Sequence, residues 1–186
     1  MTERKITRLQ CLDYSQNGAY FVTICTKERK SILSLVGAGV PDRPGHAPKP
    51  VGAGVPDRPK YTPPVCTLTW IGEICQNHIR SINESYAHLQ ITKYVIMPNH
   101  IHMIVEITGN DGRSGTPAPT PSTKANAAIP ALVSVFKRFV NKDVGQNIWQ
   151  RSYYDHVIRN ERDYLDTWNY IDGNPSKWLE DEYYQK

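Results

Sequence analysis

Two histidines one residue apart, His100 and His102, sit inside an apolar run, Tyr94-Val-Ile-Met-Pro-Asn-His-Ile-His-Met-Ile-Val-Glu-Ile107. Pro98 and Asn99 are turn residues, and both flanks are rich in Val, Ile and Met, so the segment predicts a β-hairpin. Residues i and i+2 of a strand share a face. The two imidazoles therefore stand side by side, and Ile101 and Met103 turn to the opposite face. Paired imidazoles on a rigid strand are ready metal ligands. The plainer reading is a pair of half-exposed strand histidines. Polar groups in so apolar a strand are costly without partners, which raises the ligand reading.

A second set of reactive groups lies towards the C-terminus. Tyr170 and Asn174 are four residues apart, so on a helix they share a face, along with Asp163 and Thr167. Tyr164, Trp168 and Ile171 form a separate apolar stripe. Alone, the pair reads as a surface tyrosine and a helix-ending amide, and Pro175 disfavours α geometry at Asn174. Beside the histidines its chemistry becomes coherent. Tyrosine serves as a covalent nucleophile. Attack on a phosphodiester needs charge neutralised on the nonbridging oxygens, which a divalent cation supplies. Two imidazoles and one amide oxygen would hold that cation and leave positions open for phosphate.

Seven elements must position these groups. Ala19 to Thr26 predicts a first strand, and Thr67 to Ser85 a helix with Leu68, Ile71, Ile74 or Cys75, His78 and Ile82 on one face. His88 to Met97 and Ile101 to Ile107 form the hairpin. Asn126 to Asn141 predicts a second helix, its buried face Leu132, Val135, Phe136 and Phe139. A fourth strand falls within Asn147 to Ile158. A third helix starts after Asn160, an N-cap candidate, and stops at Pro175. The order β-α-β-β-α-β-α is the split βαβ, ferredoxin-like arrangement. The expected fold is α+β: an antiparallel sheet with helices on one face and an added C-terminal catalytic helix. The chain, 186 residues long, is expected to form one domain.

Two Gly/Pro-rich inserts, at about 36–64 and 109–123, interrupt that order and read as surface loops. Val36-Gly-Ala-Gly-Val-Pro-Asp-Arg-Pro44 recurs word for word at Val51 to Pro59. Its codons are GTN-GGN-GCN-GGN-GTN-CCN-GAY-CGN-CCN. The reverse complement, read one base out of frame, is GGN-CGR-TCN-GGN-ACN-CCN-GCN-CCN-ACN. That translates as Gly-Arg-Ser-Gly-Thr-Pro-Ala-Pro-Thr, which is residues 112–120. The only choice made is CGN for arginine. One short DNA element thus stands in the gene three times, twice in one orientation and once inverted. Inverted copies pair into a hairpin when the DNA is single-stranded.

Composition narrows the classes. Apolar residues make up 39% and the net charge is +4, mildly basic and compatible with nucleic acid. Cys11, Cys25, Cys66 and Cys75 form no Cys-x-x-Cys, so neither a zinc ribbon nor a redox motif is suggested. The N-terminus lacks an apolar leader core and no run approaches membrane-spanning length, so a soluble cytoplasmic protein is expected.

Several blocks together resemble the REP-associated tyrosine transposases of the single-tyrosine HUH superfamily. They are Tyr20-Phe-Val-Thr-Ile-Cys-Thr26, Val95-Ile-Met-Pro-Asn-His-Ile-His-Met-Ile104, Trp149-Gln150, Tyr154-Asp-His-Val-Ile-Arg159 and Tyr170-Ile-Asp-Gly-Asn-Pro-Ser-Lys-Trp178. The resemblance implies that His100 and His102 hold Mg²⁺ or Mn²⁺ with Asn174 as third ligand, and that Tyr170 is the nucleophile. It implies cleavage of single-stranded DNA beside palindromic hairpins, leaving a 5′-phosphotyrosine and a free 3′-OH, in a bacterial, nucleoid-associated setting. Such enzymes act as monomers or as homodimers that share sites. Arg151, His156 and Arg159 are candidate DNA contacts, and Tyr153 and Tyr154 are rival nucleophiles. Trp149 and Trp178 are base-stacking candidates, more often found in cores. A non-catalytic hairpin-binding regulator on the same fold and a small metal- or RNA-binding ferredoxin-like module are the competing readings. A replication initiator or relaxase is disfavoured, because there is no second tyrosine pair and no helicase region.

Overall fold

The computed structural model describes residues 17–37, 64–108 and 128–184. Most of both inserts, Cys11 and Asn126 lie outside the described residues. Strands β1 (Gly18–Cys25), β4 (Leu89–Ile96), β5 (His100–Ile107) and β6 (Tyr154–Ile158) form one antiparallel sheet in the order β4-β5-β1-β6. Helices α1 (Trp70–Ser85) and α2 (Ala128–Val144) cover one face. This is an α+β fold with the ferredoxin-like strand order. Helix α3 (Glu161–Gly173) lies on the other face.

The two faces follow from the period of two along each strand. On β1, Tyr20, Val22 and Ile24 enter the core under α1 and α2; on β5, Ile101, Met103, Val105 and Ile107 do the same. Ile79 from α1 and Phe136 from α2 meet them there. The opposite face carries Phe21, Thr23, His100, His102 and Ile104. Ile104 packs with Ile158 and Ile171, flanked by Tyr164 and Trp168 of the predicted α3 stripe. Burying each large aliphatic side chain contributes about 1.5–3 kcal/mol, so β5, covered on both sides, anchors the sheet. A bulge between Ile91 and Lys93 returns Tyr94 and Ile96 to the same core face as Leu89 and Ile91.

Three expectations are corrected. The segment before α1 is a strand: β2 (Ser34–Gly37) pairs with β3 (Val65–Leu68) in a separate two-stranded sheet. Thr69 then caps α1, its hydroxyl accepting from Gly72 N at 3.2 Å. On α2 the buried stripe is Ile129, Leu132, Val133, Phe136 and Val140, whereas Phe139 is exposed. Tertiary packing selects a face rotated from the predicted one. Helix α3 ends at Gly173, next to the expected stop at Pro175, but the non-helical geometry expected of Asn174 is corrected. Asn174 keeps α geometry (φ −59°, ψ −43°), and a 3₁₀ turn continues from it to Glu180. Asn160 does cap α3, accepting from Asp163 N at 2.9 Å.

Gly72 is where α1 meets the chain entering β2. A Cβ there would lie 2.1 Å from the Leu33 carbonyl oxygen. Gly72→Ala is expected to destabilise the fold by about 1–3 kcal/mol through overpacking. A urea midpoint equal to that of the parent chain would refute this close approach.

Candidate active site

The β4–β5 turn is tied down by the chain that follows β1. Thr26 N donates to Asn99 O at 2.9 Å, and Ile32 N and Leu33 N both donate to Pro98 O at 2.9 Å. His100 therefore starts β5 from a fixed point. Both imidazoles are almost fully buried on the α3 face, ring centroids 4.4 Å apart.

The hydrogen bonds decide which nitrogens are free. Asn99 Nδ2 donates to Arg29 O at 3.2 Å and to Tyr183 O at 2.7 Å, which fixes its amide. Its Oδ1 therefore faces His100 Nδ1 at 2.8 Å and accepts that N–H. His100 Nε2 is left as a bare lone pair, buried and without a hydrogen-bond partner. Thr23 stands directly across the sheet from His102, its hydroxyl 2.8 Å from Nδ1. His102 Nε2 points at the Tyr170 hydroxyl, 3.3 Å away. Partners on the far nitrogens are what orient metal-ligating imidazoles. Burial holds His100 down to about 3, helped by Arg29, and holds His102 well below the usual imidazole range, helped by His100. Both are neutral at neutral pH, the form that binds a cation.

Helix α3 and the turn after it bring the rest. Tyr170, half-buried, meets Phe21 edge-on at 5.9 Å and His102 at 5.2 Å. Burial raises its phenol, as does the Asp181 charge, while a hydrogen bond from Asn174 lowers it. Asn174 is 3% exposed, and its Oδ1 has no partner. Asp181 completes a cluster: its carboxylate and the two histidines offer ligand atoms within 4.8 Å of one another. Burial raises the Asp181 carboxyl, and a hydrogen bond from Asn174 lowers it. His100, with its unpartnered Nε2, His102 and the Asp181 carboxylate are a donor set that fits a divalent cation.

Asp181 was invisible to spacing arguments. It reaches the histidines only because the chain folds back after Trp178. Arg29 Nη1 donates to Glu182 O at 2.8 Å, and Arg29 lies over the Tyr183 ring at 4.7 Å. The Tyr183 ring packs 4.6 Å from that of His100. Thr23, Arg29, Asp181 and Tyr183 are thus site residues that sequence reasoning missed. Read from sequence, the third ligand is the Asn174 amide, and nothing local singles out a carboxylate.

A cleft of about 670 Å³ opens at His102 and Tyr170, walled by Phe21, Thr23, Arg29, Gln150, Tyr153, Tyr154 and Tyr183 among others. The rival tyrosines Tyr153 and Tyr154 thus line the same cleft as Tyr170. A neighbouring depression of about 610 Å³ shares Gln150 with it, and its lining includes Lys27, Lys137 and Arg151 but no carboxylate. Lys137 Nζ donates to Gln150 O and Ser152 O at 2.8 and 2.9 Å, which holds the shared wall in place. His156 and Arg159 fall elsewhere. His156 Nε2 binds the Asp163 carboxylate at 3.0 Å, and Arg159 N donates to the same oxygen at 3.1 Å, both at the start of α3. Trp149 and Trp178 are buried, so neither presents a stacking face.

No known family profile matches the chain. An uncharacterized protein of Haemophilus influenzae is 28% identical over 97% of this chain and 93% of its own length. A second protein of that organism, provisionally named a REP-associated tyrosine transposase, is 29% identical over 44% of this chain and 47% of its own. Among solved structures, that of a REP-associated tyrosine transposase bound to a REP hairpin superposes with a TM-score of 0.54 at 19% identity. The match covers 96% of this chain and 74% of the other. The chain is thus similar to REP-associated tyrosine transposases in sequence over part of its length, and in fold over nearly all of it. Among the described residues no helix is long and apolar enough to cross a membrane.

Proposed function

We propose that this chain is a metal-dependent single-stranded DNA endonuclease and strand transferase. It nicks and rejoins DNA beside palindromic hairpins through a 5′-phosphotyrosine. The observation that carries this reading is the Tyr170 hydroxyl 3.3 Å from His102 Nε2, beside the bare Nε2 of His100 and the Asp181 carboxylate. The hairpin bound by the structural neighbour and the name of the shorter sequence relative point to the same substrate.

His100, His102 and Asp181 or Asn174 would hold Mg²⁺ or Mn²⁺. When bound, such a cation supplies positive charge to the nonbridging oxygens of the scissile phosphate. The chain's own groups do the rest. Phe21, Tyr153 and Tyr154 offer rings against which unpaired bases stack. Tyr170 Oη gives up its proton to solvent and attacks phosphorus; the P–O3′ bond breaks as the P–Oη bond forms, and the departing 3′ oxygen takes a proton back from solvent. The phosphodiester is exchanged and not hydrolysed, so attack by a 3′-OH reverses the step without a nucleotide cofactor. Thr23 positions His102 by engaging Nδ1. Arg151, with Lys27, lies where the strand leaves the cleft and neutralises its phosphates. His156 and Arg159 lie further along, at the start of α3.

The primary test is covalent capture: labelled single-stranded hairpin DNA, Mn²⁺ and a denaturing gel. A shifted band that EDTA abolishes is expected. Hairpin binding without an adduct, across many hairpins, would favour the non-catalytic regulator. Two further outcomes follow. Thr23→Val is expected to weaken Mn²⁺ binding by about 10–100-fold, the usual cost of losing an orienting partner; unchanged affinity in a Mn²⁺ titration would remove Thr23 from that role. The double variant Lys27→Ala, Arg151→Ala is expected to flatten the plot of log affinity against log salt by about 0.7 for each phosphate no longer neutralised. A parallel plot would place the strand elsewhere.

A further inference from the structure

We infer that the gene encoding this chain carries a target of the chain's own active site. The target is the DNA element translated as Val36–Pro44 and Val51–Pro59 and, in the opposite orientation, as Gly112–Thr120. The inference rests on the DNA-cleaving reading above and names its substrate.

The first ground is the code itself. Every base that the genetic code fixes in the forward copies is matched in the inverted one, given a CGN codon for arginine. The degenerate bases fall in third positions in both frames. Protein-level selection does not produce this pattern, because the two translations coincide at only two of nine positions: one is Val-Gly-Ala-Gly-Val-Pro-Asp-Arg-Pro, the other Gly-Arg-Ser-Gly-Thr-Pro-Ala-Pro-Thr. What is preserved is nucleotide sequence. Inverted copies on one strand fold into a paired stem, the substrate form that the proposed site requires.

The second ground is where the fold admits the copies. Val36 and Gly37, the first residues of the first copy, end β2, and Gly37 pairs with Val65, so the two forward copies fall in the connection between the paired strands β2 and β3. That pair belongs to the small sheet and not to the one that carries the histidines. The inverted copy lies between Ile107, at the end of β5 remote from His100, and Ala128, at the start of α2. Lengthening such connections adds only a slowly growing closure cost. The flanking pairs remain intact, and His100, His102, Tyr170 and Asp181 come from other segments. The element therefore sits where extra sequence leaves the site assembled, as expected of DNA that entered an already working gene.

The test changes the DNA and leaves the protein unaltered. The full chain with Mn²⁺ is given two circular single-stranded DNAs: one carries its gene as it stands, the other a synonymous recoding. The recoding replaces the CGN codons of Arg43, Arg58 and Arg113 by AGR and the TCN codon of Ser114 by AGY, and changes third positions throughout the copies. A short hairpin of the native element, a base-shuffled strand and a panel of unrelated hairpins are run alongside. We expect phosphotyrosine adducts mapping to the native element's edge, with at least a tenfold preference over the recoded circle and the shuffled strand. Equal nicking of both circles would overturn the inference, as would adducts on unrelated hairpins but none on the native element; either leaves the enzyme reading standing. No adduct on any DNA would overturn both.

Discussion

Tyr170→Phe is expected to abolish the covalent protein–DNA adduct and to lower strand cleavage by roughly 10³-fold or more. Loss of a nucleophile in a well-studied hydrolase costs about 10⁶, and a ring without its hydroxyl has no oxygen to form the P–O bond. The variant should otherwise fold as the parent does. Tyr170 is 44% exposed, and its ring contacts with Phe21 and His102 survive. The lost hydroxyl takes with it one hydrogen-bonded group, a change of about 0.5–1.5 kcal/mol. DNA affinity should therefore persist while chemistry stops. Tyr154→Phe is the matching control: if the adduct survives in Tyr170→Phe and disappears in Tyr154→Phe, the nucleophile is on the other wall of the cleft.

His102→Ala is expected to lose metal-dependent stabilisation altogether. A ligand that binds only the folded chain stabilises it by about 2.7 kcal/mol at one hundred times its Kd. For a domain of this size that corresponds to a rise of roughly 5–10 °C in Tm. Saturating Mn²⁺ should produce such a rise in the parent chain and none in the variant. The readout does not depend on turnover, so it separates metal binding from catalysis. His100→Ala should behave alike, with one informative difference. In the metal-free chain His100 Nε2 is a buried acceptor with no partner, which is a cost to the fold. Its removal offsets part of the packing loss, so the metal-free His100→Ala chain should lose less stability than a buried imidazole usually implies. An equal Mn²⁺-induced rise in parent and His102→Ala chains would show that the cation sits elsewhere.

These two experiments address different parts of the same arrangement. The histidines come from a rigid central strand, whereas Tyr170 and Asp181 come from α3 and the turn after it. Asp172 on α3 is held to β4 by an ion pair with Lys93, which also lies over the Trp168 ring at 4.6 Å. Tyr170 and the His pair meet within one chain, so a second copy is not needed to bring Tyr170 to His102.

The strand period alone put His100 and His102 on one face and Ile101 and Met103 on the other, because alternation is a property of extended backbone and needs no partner. The Tyr164, Trp168 and Ile171 stripe, the Asn160 cap and the hairpin turn were legible for the same reason: each depends on neighbours within four residues. The buried face of α2 was misread, since Phe139 and Val140 are both apolar and only the docked helix decides which one turns inward. Asn174 kept its helical geometry although a proline follows, because a local preference of that kind yields to burial of the Asn174 and Trp178 side chains. The site's remaining parts were beyond local reasoning. Thr23 reaches His102, and Asn99 holds Tyr183, across about eighty residues each; Arg29 holds Glu182 across about one hundred and fifty. Residue types and spacing thus determined which groups can do the chemistry. Tertiary structure decided which nitrogens are left free, which carboxylate joins them, and that both imidazoles stay neutral, because these depend on burial and on partners that only folding brings together.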